Sequence, residues 1–159
     1  MQWYTLVWGK GYIPGYAFIL WLAVRHRLNT KARLRNWGID VSSTCVFCDV
    51  DDETLEHLAS ECDFSRSFWG KIQKLCLLYR GNLVRQEVYW WSKHNTSNSF
   101  CHKLRRFALS ATQHHLWQAR NQMVFQQVRL SSVQAVTRTV NAIRLIVVSW
   151  SKIPRIKES

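Results

Sequence analysis

The first forty residues carry apolar positions in a pattern that predicts two helices. Pro14 suits a first helical turn, and residues 15–28 contain few helix breakers. A second, short helix is predicted from Lys31 to Trp37, with Gly38 as its C-terminal cap. On the first helix, one side would carry Phe18, Trp21, Leu22 and Leu28.

A third helix is predicted after the cysteine-rich segment, over residues 65–80. Its apolar residues at helical spacing are Phe68, Ile72, Leu75, Cys76 and Tyr79. Cys76 is therefore expected to be a core residue. Residues 81–99 are richer in polar and turn-forming residues, with the run HNTSNS, and are typical of a connector.

The last third of the chain predicts two long helices. The first starts at Phe100, with Lys103, Arg105 and Arg106 partly exposed and with an inward side of Phe100, Leu104, Phe107 and Ala111. The second follows Ser131 and Ser132, either of which can cap it, and its apolar seam is Val133, Val136, Val140, Ile143, Val147 and Trp150. That seam suits an intramolecular core or a dimer. The expected fold is all-α, with a zinc module at 1–80, a connector at 81–99 and a helical extension at 100–159.

Charge is spread unevenly over the 159 residues, whose net charge is +12. Residues 1–39 hold six Lys and Arg and no acid, whereas residues 40–63 hold eight acids and no Lys or Arg. Residues 64–159 hold sixteen Lys and Arg against two acids. This asymmetry favours a polyanionic partner for the two basic segments, and the alternative is a basic surface that only keeps the protein soluble.

Composition also limits the class of protein. A hydrophobic content of 47% predicts a packed globular chain. The longest apolar stretch, Tyr12 to Val24, is shorter than the roughly 20 residues of a membrane-spanning helix, and no secretory signal is visible. We therefore expect an intracellular protein, in the nucleus or the cytoplasm, with no membrane association.

Residues 45–62 read CVFCDVDDETLEHLASEC and hold three of the five cysteines. Cys45 and Cys48 have the spacing at which a tight turn lets two sulfurs converge on one ion at about 2.3 Å. His57 and Cys62 would complete a tetrahedral set. Thiolates with an imidazole select zinc, and four protein ligands leave no position for water, so the pattern predicts one structural zinc ion.

The local structure expected around these ligands is a short helix. Asp52 would cap it, and the helix would start near Glu53, so that His57 projects from it and Cys62 follows its end. The alternatives are a reduced cysteine pair beside a surface histidine, or a redox pair, which would need a thioredoxin-like context that is missing. His114 and His115 offer a second cluster, but no third ligand is within helical reach.

Several further positions accompany the cysteine pattern. Before the ligands they are Trp8, Pro14, Phe18, Trp21, Leu28, Thr30, Leu34 and Gly38. Around the ligands they are the CVFC pair, Glu53, Thr54, Leu58 and Trp69, and later the run WQARNQMVF adds Trp117, Arg120, Asn121 and Phe125. Together they closely resemble the zinc-binding domain that follows the reverse transcriptase in plant non-LTR retrotransposons. One departure is Gly15, where that family commonly has Lys.

The resemblance implies a zinc-dependent, nucleic-acid-associated accessory module that has no catalytic activity of its own. The residues agree, because Asp51 and Asp52 lack the aromatic strand context of a polymerase metal motif. A ribonuclease H site needs several convergent carboxylates, and only Glu87 and Glu158 follow Asp63. No enzymatic function is expected.

The nucleic-acid contacts are expected on the helices that flank the metal. Three thiolates on a zinc dication leave a net charge of about −1, so the acidic zinc segment should repel phosphate. The candidate contacts, which would bind RNA or DNA with little sequence preference, are Arg25, Arg27, Lys31, Arg33, Arg35, Lys103, Arg105, Arg106 and Arg120.

Two other functions stay open. The chain could be a zinc-stabilised protein-interaction module, in which basic faces meet an acidic protein and the helix over 133–150 pairs with a partner or a second copy. It could also be a retroelement relic that folds but has no selected partner.

Overall fold

The computed structural model describes residues 3–76 and 99–151, and within these ranges it contains helices and no strand. The predicted all-α fold is confirmed. The helices are α1 (Trp3–Trp8), α2 (Pro14–Val24), α3 (Lys31–Asn36), α4 (Asp63–Leu75), α5 (Phe100–Gln126) and α6 (Ser132–Ser151), and a π-helical turn over His57–Glu61 precedes α4. Tyr79 and the connector, apart from Ser99, lie outside the described residues.

Helix α2 begins with Pro14 in its first turn, as expected, but ends before residue 28. Its last turn closes with His26 in the left-handed region at φ 52°, and the Arg27 amide donates to the Leu22 carbonyl at 2.7 Å. This pattern satisfies the final carbonyls of the helix and redirects the chain. Leu28 is therefore buried in the turn and not on the helix.

Helix α3 ends at the predicted glycine. Gly38 has φ 80°, and the Ile39 amide donates to the Leu34 carbonyl at 3.1 Å. Only glycine adopts this conformation without strain, so the sequence position of Gly38 fixes the end of the helix.

The core forms around α5, which packs against α1, α2, α4 and α6. The largest fully buried side chains of this core include Phe68, Leu20, Ile72 and Leu109. Cys76 is buried in the same cluster, which confirms its prediction as a core residue. This cluster joins residues on both sides of the predicted 81–99 connector, so the proposed division into a module and an extension stays a prediction.

Helix α6 begins with a reciprocal cap. The Ser131 hydroxyl accepts from the Gln134 amide at 3.2 Å, and the Gln134 side chain accepts from the Ser131 amide at 3.0 Å. Ile143 is buried, and most of the predicted seam packs against the intramolecular core, through Val136, Val140, Ile143, Val147 and Trp150.

Four residues of the predicted apolar helix sides are exposed, namely Phe18, Leu75, Phe100 and Val133. The last three lie in terminal turns, where a helix has fewer neighbours. Phe18 is exposed because the buried side of α2 is set by Ala17 and Leu20. In the part of the chain that the structure describes, no helix has the length and apolar character needed to cross a membrane.

Candidate functional site

Cys45 and Cys48 lie in a closed loop, residues 43–53, which we call the ligand loop. A single antiparallel bridge between Thr44 and Asp52 joins its ends. Within it, the Cys45 amide donates to the Asp51 carbonyl at 2.8 Å. The loop is thus held by backbone bonds, which do not depend on the intervening side chains.

The two sulfurs are brought to one side by a tight turn. The Asp49 amide donates to the Cys45 carbonyl at 2.9 Å, and Asp49 has φ 56°. The Phe47 amide points at the Cys45 sulfur at 3.4 Å. Amides directed at a sulfur favour its thiolate form, which is the form that binds metal.

His57 and Cys62 are brought together by the π-helical turn. The Cys62 amide donates to the His57 carbonyl five residues back, at 2.8 Å. In an α-helix, residues five apart would point about 140° apart, so two ligands at this spacing could not converge. The wider turn aligns them, and turns of this kind are frequent at functional sites.

The expected cap of this segment is wrong. Asp52 is occupied in the bridge of the ligand loop, and the helical turn begins after Thr54, whose hydroxyl accepts from the His57 amide at 3.0 Å. Thr54 therefore orients the backbone that carries His57.

The four candidate ligands converge. One ligand atom from each of Cys45, Cys48, His57 and Cys62 lies within 4.8 Å of all the others, and the Cys48 sulfur lies 3.3 Å from His57 Nε2. Bond lengths typical of zinc place tetrahedral ligand atoms about 3.4–3.8 Å apart, so side-chain movements of about 1 Å or less would close the set around an ion. These residues could hold one zinc ion, as predicted.

Electrostatics of the sulfurs also fit a cation. Hydrogen bonding to Cys62 and burial raise the pKa of the Cys45 thiol, while the hydrogen bond from Cys45 lowers the pKa of Cys62. The opposite directions describe one proton held between two buried sulfurs. A dication would replace that proton and stabilise both thiolates.

The remaining nitrogen of His57 faces a carboxylate. His57 Nδ1 lies 3.8 Å from Asp51 Oδ2, and the Asp51 side chain is largely exposed. This separation is longer than a hydrogen bond, so the carboxylate acts on the imidazole through its charge, which favours Nδ1 as the protonated nitrogen and Nε2 as the metal ligand. Asp51, one of the acids of the ligand loop, therefore supports metal binding by His57.

A small apolar cluster supports the ligands. Leu58 is buried beside the ligands Cys45 and Cys62, and the rings of Phe47 and Phe64 stack with centroids 4.2 Å apart. Trp117 of α5 packs against the same cluster. A side chain of α5, far along the sequence from the ligands, therefore contributes to the surroundings of the metal site.

A buried ion pair makes a second link to α5. Arg120 donates to Glu53 Oε1 from Nε at 3.0 Å and from Nη2 at 2.7 Å. The Lys31 amide donates to the same oxygen at 3.0 Å. The side chains of Arg120 and Glu53 are only 3% and 0% exposed. Glu53 thus joins the ligand loop to α3 and α5.

This geometry corrects one of the candidate nucleic-acid contacts, Arg120, and the expected exposure of another, Arg106. Arg120 is buried and engaged with Glu53, and its guanidinium also lies over the Trp117 ring at 4.9 Å, so it offers no surface to a polymer. Arg106 was expected to be partly exposed and is 8% exposed instead. Arg120 therefore points from α5 toward the interior, whereas Arg106 stays slightly exposed in a cleft between helices.

The other candidate cations have mixed surroundings. Arg25, Arg27 and Arg35 are exposed, and none of them takes part in an ion pair among the described residues. Lys31 donates from Nζ to the Thr44 carbonyl at 2.7 Å, while Arg33 donates to the His26 carbonyl and lies over the Trp37 ring. Lys103 and Arg105 on α5 are half-buried.

Sequence reasoning missed the role of Glu53 as a partner of Arg120. Each residue stood in one of the two motifs that carried the resemblance, ETLEHL and WQARNQMVF. The sequence did contain one indication of this ion pair: the two motifs carry opposite charges, and Arg120 stands among apolar residues of a predicted helix.

Comparison with known proteins agrees with the metal site. Residues 1–69, a little under half of the chain, match the family model described as zinc-binding in reverse transcriptase. All four candidate ligands fall inside this range, and the resemblance to reverse-transcriptase zinc-binding domains is confirmed. No curated protein and no solved structure matches the chain. The plant origin stays a prediction.

Proposed function

From the match of residues 1–69 to a zinc-binding family of reverse transcriptases, we propose that this chain is a non-catalytic accessory module, derived from a non-LTR retrotransposon polyprotein, that binds the nucleic-acid backbone. One structural zinc ion at Cys45, Cys48, His57 and Cys62 would stabilise it. The helices that the zinc site positions would make the contacts.

The observation that carries this proposal is the separation of charge. The exposed acids lie in and around the ligand loop, whereas three exposed arginines, Arg25, Arg27 and Arg35, lie together in sequence on the turn between α2 and α3 and on α3 itself. Arg25, Arg27 and Arg35 are free of ion pairs among the described residues, so their charge is available to phosphates. Trp37, which is 55% exposed, follows α3 and offers a ring on which a base could stack at the face that Arg33 does not cover.

Binding should be measured by fluorescence anisotropy with zinc-loaded protein. The probes are single-stranded RNA, single-stranded DNA and duplex DNA, each over a salt series. The test variant changes Arg25, Arg27 and Arg35 to Ala. Its matched control changes three other exposed cations, Lys71, Lys74 and Arg144, to Ala, which alters the net charge equally.

We expect micromolar or tighter binding that falls steeply with salt. Losing three phosphate contacts should reduce the slope of log K against log salt by about 2 on single strands, because each contact contributes about 0.7. Equal weakening by both variants would point to unspecific attraction between a basic protein and any polyanion. Absence of binding at low salt would refute the proposal.

The second candidate function is protein interaction through α6. Val133 and Leu145 are exposed on that helix although most of its seam is packed inside. Light scattering over a concentration series tests the version with two copies, since substituting Leu145 by Gln should abolish any dimer. For either function we propose a nuclear or cytoplasmic location.

A further inference from the structure

A small open cleft lies where the end of α1, the first half of α5 and the end of α6 meet. Three cationic side chains line it, Lys10, Lys103 and Arg106. None of the described residues that line it is acidic. Its lining includes none of the metal-ligand candidates and none of the arginines on α3 or on the turn before it.

Arg106 is the unusual member of this cleft. It is 8% exposed, and its buried Nη2 atom has no hydrogen-bond partner. Burial also lowers the pKa of the guanidinium. A buried cation without a partner is costly, and an unsatisfied group of this kind in a folded protein calls for an explanation such as a bound ion.

The backbone beside Arg106 leaves room for its guanidinium. A Cβ atom on Gly9 would lie 3.0 Å from the guanidinium carbon and 2.4 Å from the Thr5 carbonyl oxygen. Gly9 therefore permits an approach that other residues would block. The chain then turns through Gly11, at φ 86°, which places Lys10 at the rim of the cleft.

We propose that this cleft binds one phosphoryl group, with Arg106 as its main ligand and Lys10 and Lys103 beside it. Guanidinium groups hold phosphate through two parallel hydrogen bonds. The described lining carries three cationic side chains and no acid, which fits a small anion. The group could belong to a nucleic-acid backbone, in which case the inference rests on the proposed function, or to free phosphate.

The test compares the melting temperature, Tm, of zinc-loaded protein in sodium phosphate and in sodium chloride at pH 7 and equal ionic strength. The variant is Arg106→Met, which keeps the apolar stem and removes the charge. The control is Arg144→Met on the exposed side of α6. Phosphate stabilises proteins generally, and the control variant measures that general effect.

We expect phosphate to raise the Tm by about 2–4 °C more in the unsubstituted chain and in Arg144→Met than in Arg106→Met. In chloride, Arg106→Met should melt at the same or a higher temperature, because it removes an unpaired buried charge. An equal rise in all three proteins would overturn the proposal. So would a lower Tm of Arg106→Met in chloride together with an unchanged phosphate effect.

Anisotropy with single-stranded RNA distinguishes the two sources. A tenfold or greater loss of RNA affinity in Arg106→Met assigns the site to the polymer backbone. Unchanged RNA affinity together with a lost phosphate effect assigns it to free phosphate. If the unsubstituted chain binds no RNA, the proposed function fails while the phosphate result in the melting experiment still stands.

Discussion

Substituting Arg120 by Met should cost more stability than any exposed charge in the chain. The substitution leaves the Glu53 carboxylate, 0% exposed, without its cationic partner. Removing one member of a buried ion pair costs about 3–5 kcal/mol, a large part of the about 5–15 kcal/mol that stabilises a typical domain. For a chain of this length the Tm should fall by about 6–20 °C.

The assay is urea unfolding followed by circular dichroism, with zinc present throughout. The control is Arg129→Met, because Arg129 also pairs with an acid of the ligand loop, Asp49, but both side chains are largely exposed. Such exposed pairs contribute about 0–1 kcal/mol. A loss in Arg120→Met no larger than in Arg129→Met would refute the role given to the buried pair.

A double variant sharpens the test. Glu53→Gln combined with Arg120→Met leaves no charge at the site of the buried pair, and the glutamine oxygen can still accept from the Lys31 amide. We expect the double variant to be more stable than Arg120→Met alone, since the main penalty is the uncompensated carboxylate. Simple additivity of the two substitutions would argue against direct coupling.

Three further measurements follow from the structure. Chelating zinc, or substituting Cys48 by Ser, should lower the Tm and the helical signal, because zinc binding contributes to folding. Substituting the exposed Cys101 by Ser should lower neither. An unchanged melting curve after chelation would contradict the zinc site. Burial, with His114 and Arg138 nearby, lowers the pKa of His115 to about 4, so below about pH 6.5 the unfolded chain takes up a proton that the folded chain does not. The free energy of unfolding should therefore fall by about 2 kcal/mol between pH 6.5 and 4, and it should fall less in His115→Gln. Equal pH dependence of urea unfolding in the two proteins would exclude this effect. Gly38→Ala should destabilise the protein by about 1 kcal/mol, because the φ angle of Gly38 is positive. Gly70→Ala, in the interior of α4 with no atom near the added methyl group, should stabilise it by about 0.5–1 kcal/mol. Changes of Tm in the same direction for both variants would contradict the backbone argument.

Sequence alone predicted the features that depend on local patterns. Pro14 marked a helix start because its φ angle is fixed, and Gly38 marked a helix end because glycine adopts a positive φ angle without strain. The spacing of Cys45 and Cys48 and the nearby His57 and Cys62 predicted the ligand set, since zinc coordination imposes strict geometry on few residue types.

Features that depend on distant residues escaped prediction. The charge of Arg120 indicated an exposed contact, because its partner Glu53 lies far away in the sequence. Arg106 follows Arg105 directly, and only packing between helices decides which of the two turns inward. The π-helical turn was not predicted either, because periodicity is read against the α-helical repeat.

That turn bears on how such sites vary in length. Four residues separate His57 from Cys62, and the turn accommodates one residue more than an ordinary helical turn would. Deleting the exposed Glu61 would place the histidine and the cysteine four positions apart, where an α-helix already puts them on one face. Related chains with three intervening residues should therefore build the same site, and a one-residue deletion at this point would be neutral for metal binding.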